Sequence, residues 1–310
     1  MSKVAIIMST YNGHEYIKEQ IASILSQAYT DFTLFIRDDG STDDTVLILQ
    51  TLSITDSRIK LIIDEPGHPN NNLGFGESFS SAMQYAMSIG AFDYYAFCDQ
   101  DDYWDENKIK RAVNSLDTCD QSLPTLYACN YYICDSKLTI ISQGTSGSPM
   151  ENVTFENMFF EGVFPGFTIV INRTLAMIAF SKVDSAQIYY HDKWVSLITL
   201  GLDGKIIYDH TPLAKYRRHE SVASSTGKGA FAKLKWRIDK VLNGDFCPRT
   251  RQMLHCYKDA FYRKMNYDIR DFLDVFTGTN RIKKLFFNKR LRRSISGEIL
   301  LRFIILLGKI

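Results

Sequence analysis

Three aspartates lie within four residues, at positions 99, 101 and 102 of the stretch Phe97–Trp104. The apolar residues 94–97 before them are typical of a buried strand. Carboxylates this close repel one another unless a cation or a donor-rich ligand neutralises them, and oxygen ligands suit Mg²⁺ or Mn²⁺. The stretch therefore predicts a divalent-cation and phosphate site at the carboxyl end of a strand. The alternative is a solvated acidic turn that caps the next helix.

A second candidate for chemistry is Asp192, in the stretch Tyr189–Trp194. It opens a predicted helix whose apolar face includes Val195, Ile198 and Leu202. As a general base it would remove the proton from an acceptor hydroxyl. As a structural residue it would be a first-turn acid favoured by the helix dipole.

A third group, Arg217, Arg218 and His219, ends a predicted strand. Side chains delivered to the same sheet edge would offer positive charge to a leaving diphosphate and a nitrogen ligand to a metal. The alternative is a basic cluster on the protein surface.

Alternating strands and helices position these groups. Short apolar runs at 4–8, 32–36 and 59–63 alternate with segments of helical periodicity, which predicts a mostly parallel α/β sheet. Polar turns follow the first two strands, where Asp39 would accept from a pyrimidine N–H and Tyr11 would stack on a base. Helix capping by Asp39 and its neighbour is the alternative. The chain has neither GxGxxG nor GxxxxGK[ST], which argues against Rossmann dinucleotide and P-loop sites.

Length and composition indicate an ordinary globular protein with one large domain and an appendage, at 310 residues and 45% hydrophobic content. The net charge of +1 hides an asymmetry, because residues 281–310 hold nine Lys/Arg against one acid. The six cysteines show no CxxC, as expected of reduced thiols in the cytosol. Neither a signal peptide nor an apolar stretch long enough to span a bilayer is expected.

Three ordered motifs, Ser9–Asn12, Asp38–Asp43 and Asp99–Asp102, resemble those of glycosyltransferase family 2. The resemblance covers roughly residues 3–225, and Tyr216–His219 is similar to a segment of bacterial rhamnosyltransferase-like members. It implies the α/β GT-A nucleotide-sugar-binding fold with a mostly parallel central sheet, followed by a C-terminal helical region. The implied domains are a glycosyltransferase domain at 1–226 and a helical region at 227–310.

The resemblance also implies a role for each site residue, with Asp192 as catalytic base. The nucleotide-sugar ligands would be Thr10, Tyr11, Asn12, Asp39, Asp99, Gln100, Arg217 and Arg218. Asp101 and His219 would hold the metal. The acceptor side would be formed by Trp104, Gly166, Phe167, Thr168, His191 and Trp194, although the aromatic residues near Gly166 fit core packing equally well. Glu77 departs from the pattern, since many members have a basic residue near it.

The implied activity is metal-dependent, inverting transfer of a sugar to a hydroxyl of a lipid-linked or cell-surface polysaccharide, with Mg²⁺ or Mn²⁺ as cofactor. The donor is expected to be dTDP-rhamnose, with UDP-hexoses as the alternative. A non-catalytic nucleotide- or carbohydrate-binding protein of the same fold is a rival. A nucleotidyltransferase is disfavoured because residues 9–13 offer no triphosphate-binding element.

Helical periodicity predicts helices over 230–276 and then an amphipathic basic tail. The tail is expected to lie on an anionic leaflet, with Phe286, Phe287, Leu291 and Ile304 embedded. The protein would then be cytoplasmic and peripheral at the inner face of the cell membrane. An RNA-binding patch or a helix packed on the domain is the alternative, and the acidic remainder of the chain argues against nucleic acid.

Overall fold

The computed structural model describes residues 1–62, 72–144, 153–184, 188–218 and 246–310, the side chain of Phe246 excepted. The chain forms two compact units. The first consists of Met1–Asn152 and Val163–His219, and the second of Val153–Gly162 and Glu220–Ile310. The predicted boundary between residues 226 and 227 lies outside the described residues.

Strands of one sheet dominate the first unit. They are β1 (Val4–Thr10), β2 (Phe32–Asp38), β3 (Ile59–Leu61), β4 (Tyr94–Cys98), β5 (Tyr103–Trp104), β6 (Thr125–Cys134), β7 (Ile140–Gln143), β8 (Ile169–Asn172) and β9 (Lys205–Arg217). The helices of the whole described chain are α1 (Ile17–Leu25), α2 (Thr45–Thr55), α3 (Phe75–Ile89), α4 (Lys108–Asp117), α5 (Phe155–Phe160), α6 (Arg173–Phe180), α7 (His191–Gly201), α8 (Phe246–Phe261), α9 (Tyr267–Thr277), α10 (Arg281–Leu285) and α11 (Ile295–Leu306).

The sheet has the order β3-β2-β1-β4-β8-β6-β9-β5, with β7 paired to β6. The block β3-β2-β1-β4 is entirely parallel, as the alternating pattern predicts. β8 runs antiparallel to β4 and β6, while β9 runs parallel to β6. Because β1, β2 and β4 run parallel, the polar residues that follow them lie at one edge of the sheet.

The register aligns these strand ends closely. Thr10 pairs with Asp38 across β1 and β2, and Met8 pairs with Cys98 across β1 and β4. The central strand is fully buried from Val4 to Met8, as near-continuous apolar runs are in a sheet covered on both faces. The chemistry suggested by the sequence is thus placed on a rigid support.

An aromatic core holds the second unit together. Phe155, Phe159 and Phe160 of α5 contact Phe272 of α9, and Phe155 also contacts Tyr257 of α8. The helical prediction is correct for α8 and α9, while its part at 230–245 lies outside the described residues. The inclusion of α5, which comes from within the first unit's sequence, was not predicted.

The C-terminal residues are a folded part of the second unit. Phe287, Leu291 and Ile304 are buried, so the expectation that they embed in a membrane is wrong, whereas Phe286 is exposed. The guanidinium of Arg302 donates to the backbone oxygens of four residues, 284, 285, 287 and 289. None of the helices in the described part of the chain combines the length and hydropathy that crossing a bilayer requires.

Candidate active site

The turns after β1 and β2 are bound to each other. The Thr10 hydroxyl donates to Asp38 Oδ1 at 3.0 Å, and the backbone N–H of Asn12 donates to the Ser41 hydroxyl at 2.9 Å. The Asn12 side chain in turn accepts from the backbone N–H of Thr42 at 2.8 Å. Thr10 is therefore buried and Asn12 builds the turn, while the exposed Tyr11 ring lies at the open edge.

Asp39 is buried and fully engaged. Its carboxylate pairs with Arg37 at 2.5 Å and accepts the backbone N–H groups of Leu73 and Gly74, each at 2.9 Å. Gly74 has φ of +82°, a conformation that glycine adopts without strain. Asp39 thus fixes the start of α3 against the end of β2, and its contact with a base stays a prediction.

Gln100 ties the acidic turn to the loop after β1. Its Oε1 accepts the backbone N–H of Tyr11 at 2.9 Å, and its Nε2 donates to the Tyr11 carbonyl at 3.0 Å. A side chain on Gly13 would collide with this amide, because an ideal β-carbon there would lie 2.4 Å from Oε1. Gln100 therefore positions Tyr11, a role that the sequence did not suggest.

The acidic turn after β4 places three carboxyl groups close to one another. Burial, together with the charges of Asp101 and Asp192, raises the pKa of Asp99 to about 8. Burial, followed by the charges of Asp101 and Asp99, holds the pKa of Asp102 well above its usual range. Asp102 Oδ1 accepts the backbone N–H of Arg217 at 3.2 Å, whereas its buried Oδ2 has no hydrogen-bond partner.

Arg217 is buried and connects neighbouring segments of the chain, so it is not an exposed phosphate ligand. Its guanidinium donates to the carbonyls of Asp101 at 2.9 Å and Ser136 at 2.5 Å, pairs with Glu19 and lies over the ring of Tyr16. This burial is at odds with the predicted phosphate contact. Arg218 follows, half-buried, at the end of β9, and His219 lies outside the described residues.

Asp192 lies in the first turn of α7 and reaches the acidic turn. The ring of the preceding residue, His191, lies 4.6 Å from that of Phe97 at the end of β4, and the charge of Asp192 contributes to the raised pKa of Asp99. Burial is the main cause that raises the pKa of Asp192 itself. The structure thus places Asp192, the predicted base, beside the acidic turn that the sequence singled out.

His191, predicted on the acceptor side, is fully buried instead. Its ring stacks on Phe79 at a centroid distance of 4.1 Å and also contacts Phe75 and Phe97. Neither ring nitrogen has a hydrogen-bond partner, and burial lowers the pKa of His191 to about 3. The ring is therefore neutral, and it packs against Gly166, where an ideal β-carbon would lie 2.5 Å from its Nε2.

The remaining residues predicted for the acceptor side are buried as well. Trp194 Nε1 donates to the Ala179 carbonyl at 3.0 Å, and Trp104 lies beneath the Lys108 ammonium group at 3.7 Å. Phe167 stacks on Tyr216, and the Thr168 hydroxyl donates to a backbone carbonyl at 2.7 Å. These side chains support the site from within the core, and their burial is at odds with the predicted contact with an acceptor.

Several supporting residues were missed because nothing local in the sequence marks them. Gly76 permits close packing of α3 on residues 188–189, since a β-carbon there would lie 2.2 Å from the Tyr189 carbonyl oxygen. Ser78 accepts from Arg37 at 2.9 Å and shares a hydrogen bond with Ser9 at 2.6 Å. The one feature of the sequence that could have pointed to Ser78 is Arg37, a charged residue inside an otherwise apolar strand.

A divalent cation fits the chemistry of the acidic turn. The raised pKa of Asp99 and the unpartnered Oδ2 of Asp102 show that these neighbouring carboxyl groups resist ionisation together, and a cation on the hard oxygens of Asp99 and Asp101 would stabilise their charged form. The described residues contain no group of three or more His, Cys, Asp or Glu side chains arranged as metal ligands. The protein ligands on offer there are Asp99 and Asp101.

Comparison with known proteins agrees with this geometry. Residues 5–163 match the family model described as Glycosyl transferase family 2. The dTDP-rhamnosyl transferase RfbG of Shigella flexneri is 30% identical over 220 residues, which cover 69% of this chain and 72% of that protein. An Escherichia coli protein, UDP-Glc:alpha-D-GlcNAc-diphosphoundecaprenol beta-1,3-glucosyltransferase WfaP, is 30% identical over 206 residues, 66% of this chain and 74% of its own.

Solved structures share the fold at low identity. S. aureus TarS 1-349 in complex with UDP-GlcNAc has a TM-score of 0.55 and 15% identity, and the match covers 99% of this chain and 91% of that one. The mannosyltransferase PcManGT from Pyrobaculum calidifontis in complex with GDP-Man and Mn²⁺ has a TM-score of 0.53 and 14% identity, with 99% and 87% covered. These likenesses confirm the predicted α/β GT-A fold. With more than half of its residues inside the family model, the chain belongs to glycosyl transferase family 2.

Proposed function

We propose that this family 2 glycosyltransferase is a metal-dependent, inverting enzyme in which Asp192 is the catalytic base. The observation that carries the proposal is the contact between the start of α7 and the end of β4: the ring of His191, next to Asp192, lies 4.6 Å from that of Phe97, two residues before Asp99. A base on one side of the sugar and a diphosphate-binding site on the other suffice for a single in-line displacement. No covalent sugar–enzyme intermediate is then required.

The environment of Asp192 suits proton removal. Burial raises its pKa, which makes the carboxylate a stronger base than one in water, as general-base catalysis near neutral pH favours. Its Oδ1 accepts the backbone N–H of Lys193 at 2.7 Å, which orients the carboxylate. An acceptor hydroxyl within hydrogen-bond reach of the other oxygen would lose its proton as the new bond to the sugar forms.

Asp99 and Asp101 would hold Mg²⁺ or Mn²⁺ on the donor diphosphate. A cation bound there supplies charge stabilisation for the departing nucleoside diphosphate. The chain's own contribution is to fix these acids, since Arg217 donates to the Asp101 carbonyl and Gln100 clamps Tyr11. Thr10, Asn12 and Asp39 shape the base pocket beside the exposed Tyr11 ring.

The proposed donor is dTDP-rhamnose, supported by the similarity to RfbG and by the Asp-Gln-Asp-Asp-x-Trp, His-Asp-x-Trp and Tyr-Arg-x-His combination. The alternative is a UDP-hexose, because WfaP and WfgD, a second E. coli relative at 28% identity, are named as UDP-Glc glucosyltransferases. Both names include diphosphoundecaprenol acceptors. The acceptor proposed here is likewise a lipid-linked glycan, met at the inner face of the cell membrane.

The test is transfer from a panel of nucleotide sugars, with and without Mn²⁺, followed by mass spectrometry of the glycan product. Asp192→Asn should lower turnover by about 10² or more with donor affinity near wild type, the usual scale for a general base. Asp120→Asn, a fully exposed carboxylate that accepts only from Ser122, is the matched control and should behave as wild type.

Two results would contradict the proposal. Loss of donor binding in Asp192→Asn would assign this residue to the nucleotide site. Binding of nucleotide sugars without any turnover in the wild type, with every acceptor and metal, would instead favour a non-catalytic binding protein.

A further inference from the structure

We infer that the outward face of α11 is a membrane-docking surface that enters the interface of an anionic phospholipid bilayer. The helix is apolar on two opposite sides. Leu301, Ile304 and Ile305 are buried inside the second unit. The other side carries four large apolar residues that are more than half exposed: Ile295 at 72%, Ile299 at 65%, Phe303 at 54% and Leu306 at 56%.

These four residues form one continuous stripe. Their spacing of four, four and three residues places them within about 80° of arc on a helix of 3.6 residues per turn. A helix that is apolar all round is normally covered on both sides, and a contiguous exposed apolar patch marks an interaction site. Ile282 of α10 and Phe286, which directly follows that helix, are two further exposed large apolar residues of this segment.

Exposed positive charge in the same C-terminal segment, part of it beside the stripe, indicates the occupant. Arg281, Lys283, Arg290 and Lys309 are exposed. A surface cavity of about 310 Å³ is lined by Arg290 together with Ile295 and Ile299 of the stripe, so a cation and the apolar face share one depression. Phospholipid offers the matching pattern, a negative headgroup next to acyl chains.

The structure indicates that apolar insertion contributes more to membrane attachment than electrostatic attraction does. The other basic residues of this segment are engaged within the unit: Lys289 pairs with Glu156 and Asp268, Arg292 and Arg293 pair with Glu161, Arg302 pairs with Glu298, and Lys284 is buried. Each of the four exposed cations should raise the affinity for an anionic leaflet roughly fivefold, whereas each inserted Ile or Phe should raise it by a factor of roughly 10 to 100. Attachment should therefore rest mainly on apolar insertion and survive high salt in part.

The inference rests on the proposed function, because this surface would hold the enzyme at the membrane, where a lipid-linked acceptor resides. The binding experiment contains neither donor nor acceptor, so its failure would leave the proposed chemistry untouched. Truncation of the tail is unsuitable as a test, because Phe287 and Leu291 belong to the folded core.

The test is co-sedimentation of the full chain with vesicles of phosphatidylglycerol and phosphatidylcholine, or of phosphatidylcholine alone, at low and high salt. Wild type should bind the anionic vesicles more tightly. Ile299→Asp/Phe303→Asp should bind at least about 100-fold more weakly, because two inserted side chains are lost. The matched control is Ile54→Asp, an isoleucine 86% exposed on α2 of the first unit, which should bind as wild type.

Thermal unfolding distinguishes the alternatives. Ile299→Asp/Phe303→Asp should keep the wild-type midpoint, as Ile54→Asp does, whereas Leu301→Asp on the buried side should lower it by several degrees. A large fall for the double variant would mean that another part of the chain covers the stripe, and the proposal fails. It fails equally if wild type ignores vesicles, if the double variant binds them normally, or if sedimentation shows a dimer that the double variant abolishes without any vesicle binding.

Discussion

The contact between Gly166 and His191 offers the sharpest test of how the site is built. A β-carbon on Gly166 would lie 2.5 Å from His191 Nε2, whereas ordinary van der Waals contact begins near 3.4 Å. Gly166→Ala must therefore displace the ring by about 0.9 Å. Gly166 is not among the residues with positive φ, so the alanine adds a contact and no backbone strain.

The ring has little room to move. On its other side it stacks on Phe79 at 4.1 Å and contacts Phe97 at 4.6 Å. Because a close-packed interior transmits strain, the displacement should pass into the first turn of α7 and move Asp192. Overpacking of this size costs about 1–3 kcal/mol of stability, and a shift of about 1 Å at a catalytic group lowers turnover by roughly 10².

The assay compares kcat, acceptor KM, donor Kd and the free energy of unfolding among Gly166→Ala, His191→Ala and the double variant. We expect Gly166→Ala to lose mainly kcat while donor Kd holds. The double variant should recover at least about tenfold in kcat over Gly166→Ala, since removal of the ring makes space for the new methyl group. Such coupling is expected only of residues in contact.

One outcome would refute this reasoning. If Gly166 lines the acceptor site directly, Gly166→Ala should raise acceptor KM with kcat unchanged, and removal of the His191 ring should give no recovery. The original expectation of an acceptor role for Gly166 would then be right.

Two further predictions concern the acidic turn. Arg217→Lys should lower the free energy of unfolding in urea by about 3 kcal/mol, because lysine lacks the guanidinium fork that joins the carbonyls of Asp101 and Ser136. The control is Arg111→Lys, at the half-exposed ion pair with Asp209, which should lower it by no more than about 1 kcal/mol. Equal effects of the two substitutions would contradict the buried role of Arg217. Since the folded pKa of Asp99 is raised from 3.8 to about 8, the folded state holds a proton that the unfolded chain releases, so the contribution of Asp99 to stability in EDTA should fall as pH rises from about 4 to 8. His191, whose pKa is lowered from 6.5 to about 3, contributes in the opposite direction below about pH 6.5, so the quantity to measure is the stability of wild type minus that of Asp99→Asn. That difference should fall across the window, and a difference that stays constant or rises would disprove the shift.

Much of the first unit could be predicted because its pattern is local. Apolar runs ending in polar turns predicted β1, β2 and β4, and parallel pairing then required their ends to meet. The general-base hypothesis for Asp192 rested on the family resemblance, and the structure adds its proximity to Asp99. Residue type and position in the chain were enough to predict these strands and to select Asp192.

The residues named for the acceptor side show where sequence reasoning fails. Trp104 and Trp194 stand beside acidic residues in sequence, which suggested a sugar contact. Which face of a strand or helix turns inward depends on the whole sheet, and both indoles turned out to lie in the core. Arg217 failed for the same reason, because it is buried and its partners Glu19 and Ser136 are distant in sequence.

The position of α5 has a consequence for synthesis of the protein. Its phenylalanines are made 86 residues before α8 begins, yet their partners are Tyr257, Phe272 and Phe276. At synthesis rates of about 5–20 residues per second this leaves an aromatic cluster uncovered for roughly 4–17 seconds while the chain emerges from the ribosome. Fragments that stop before α8 should therefore aggregate or recruit chaperones, whereas fragments that include α8 and α9 should not.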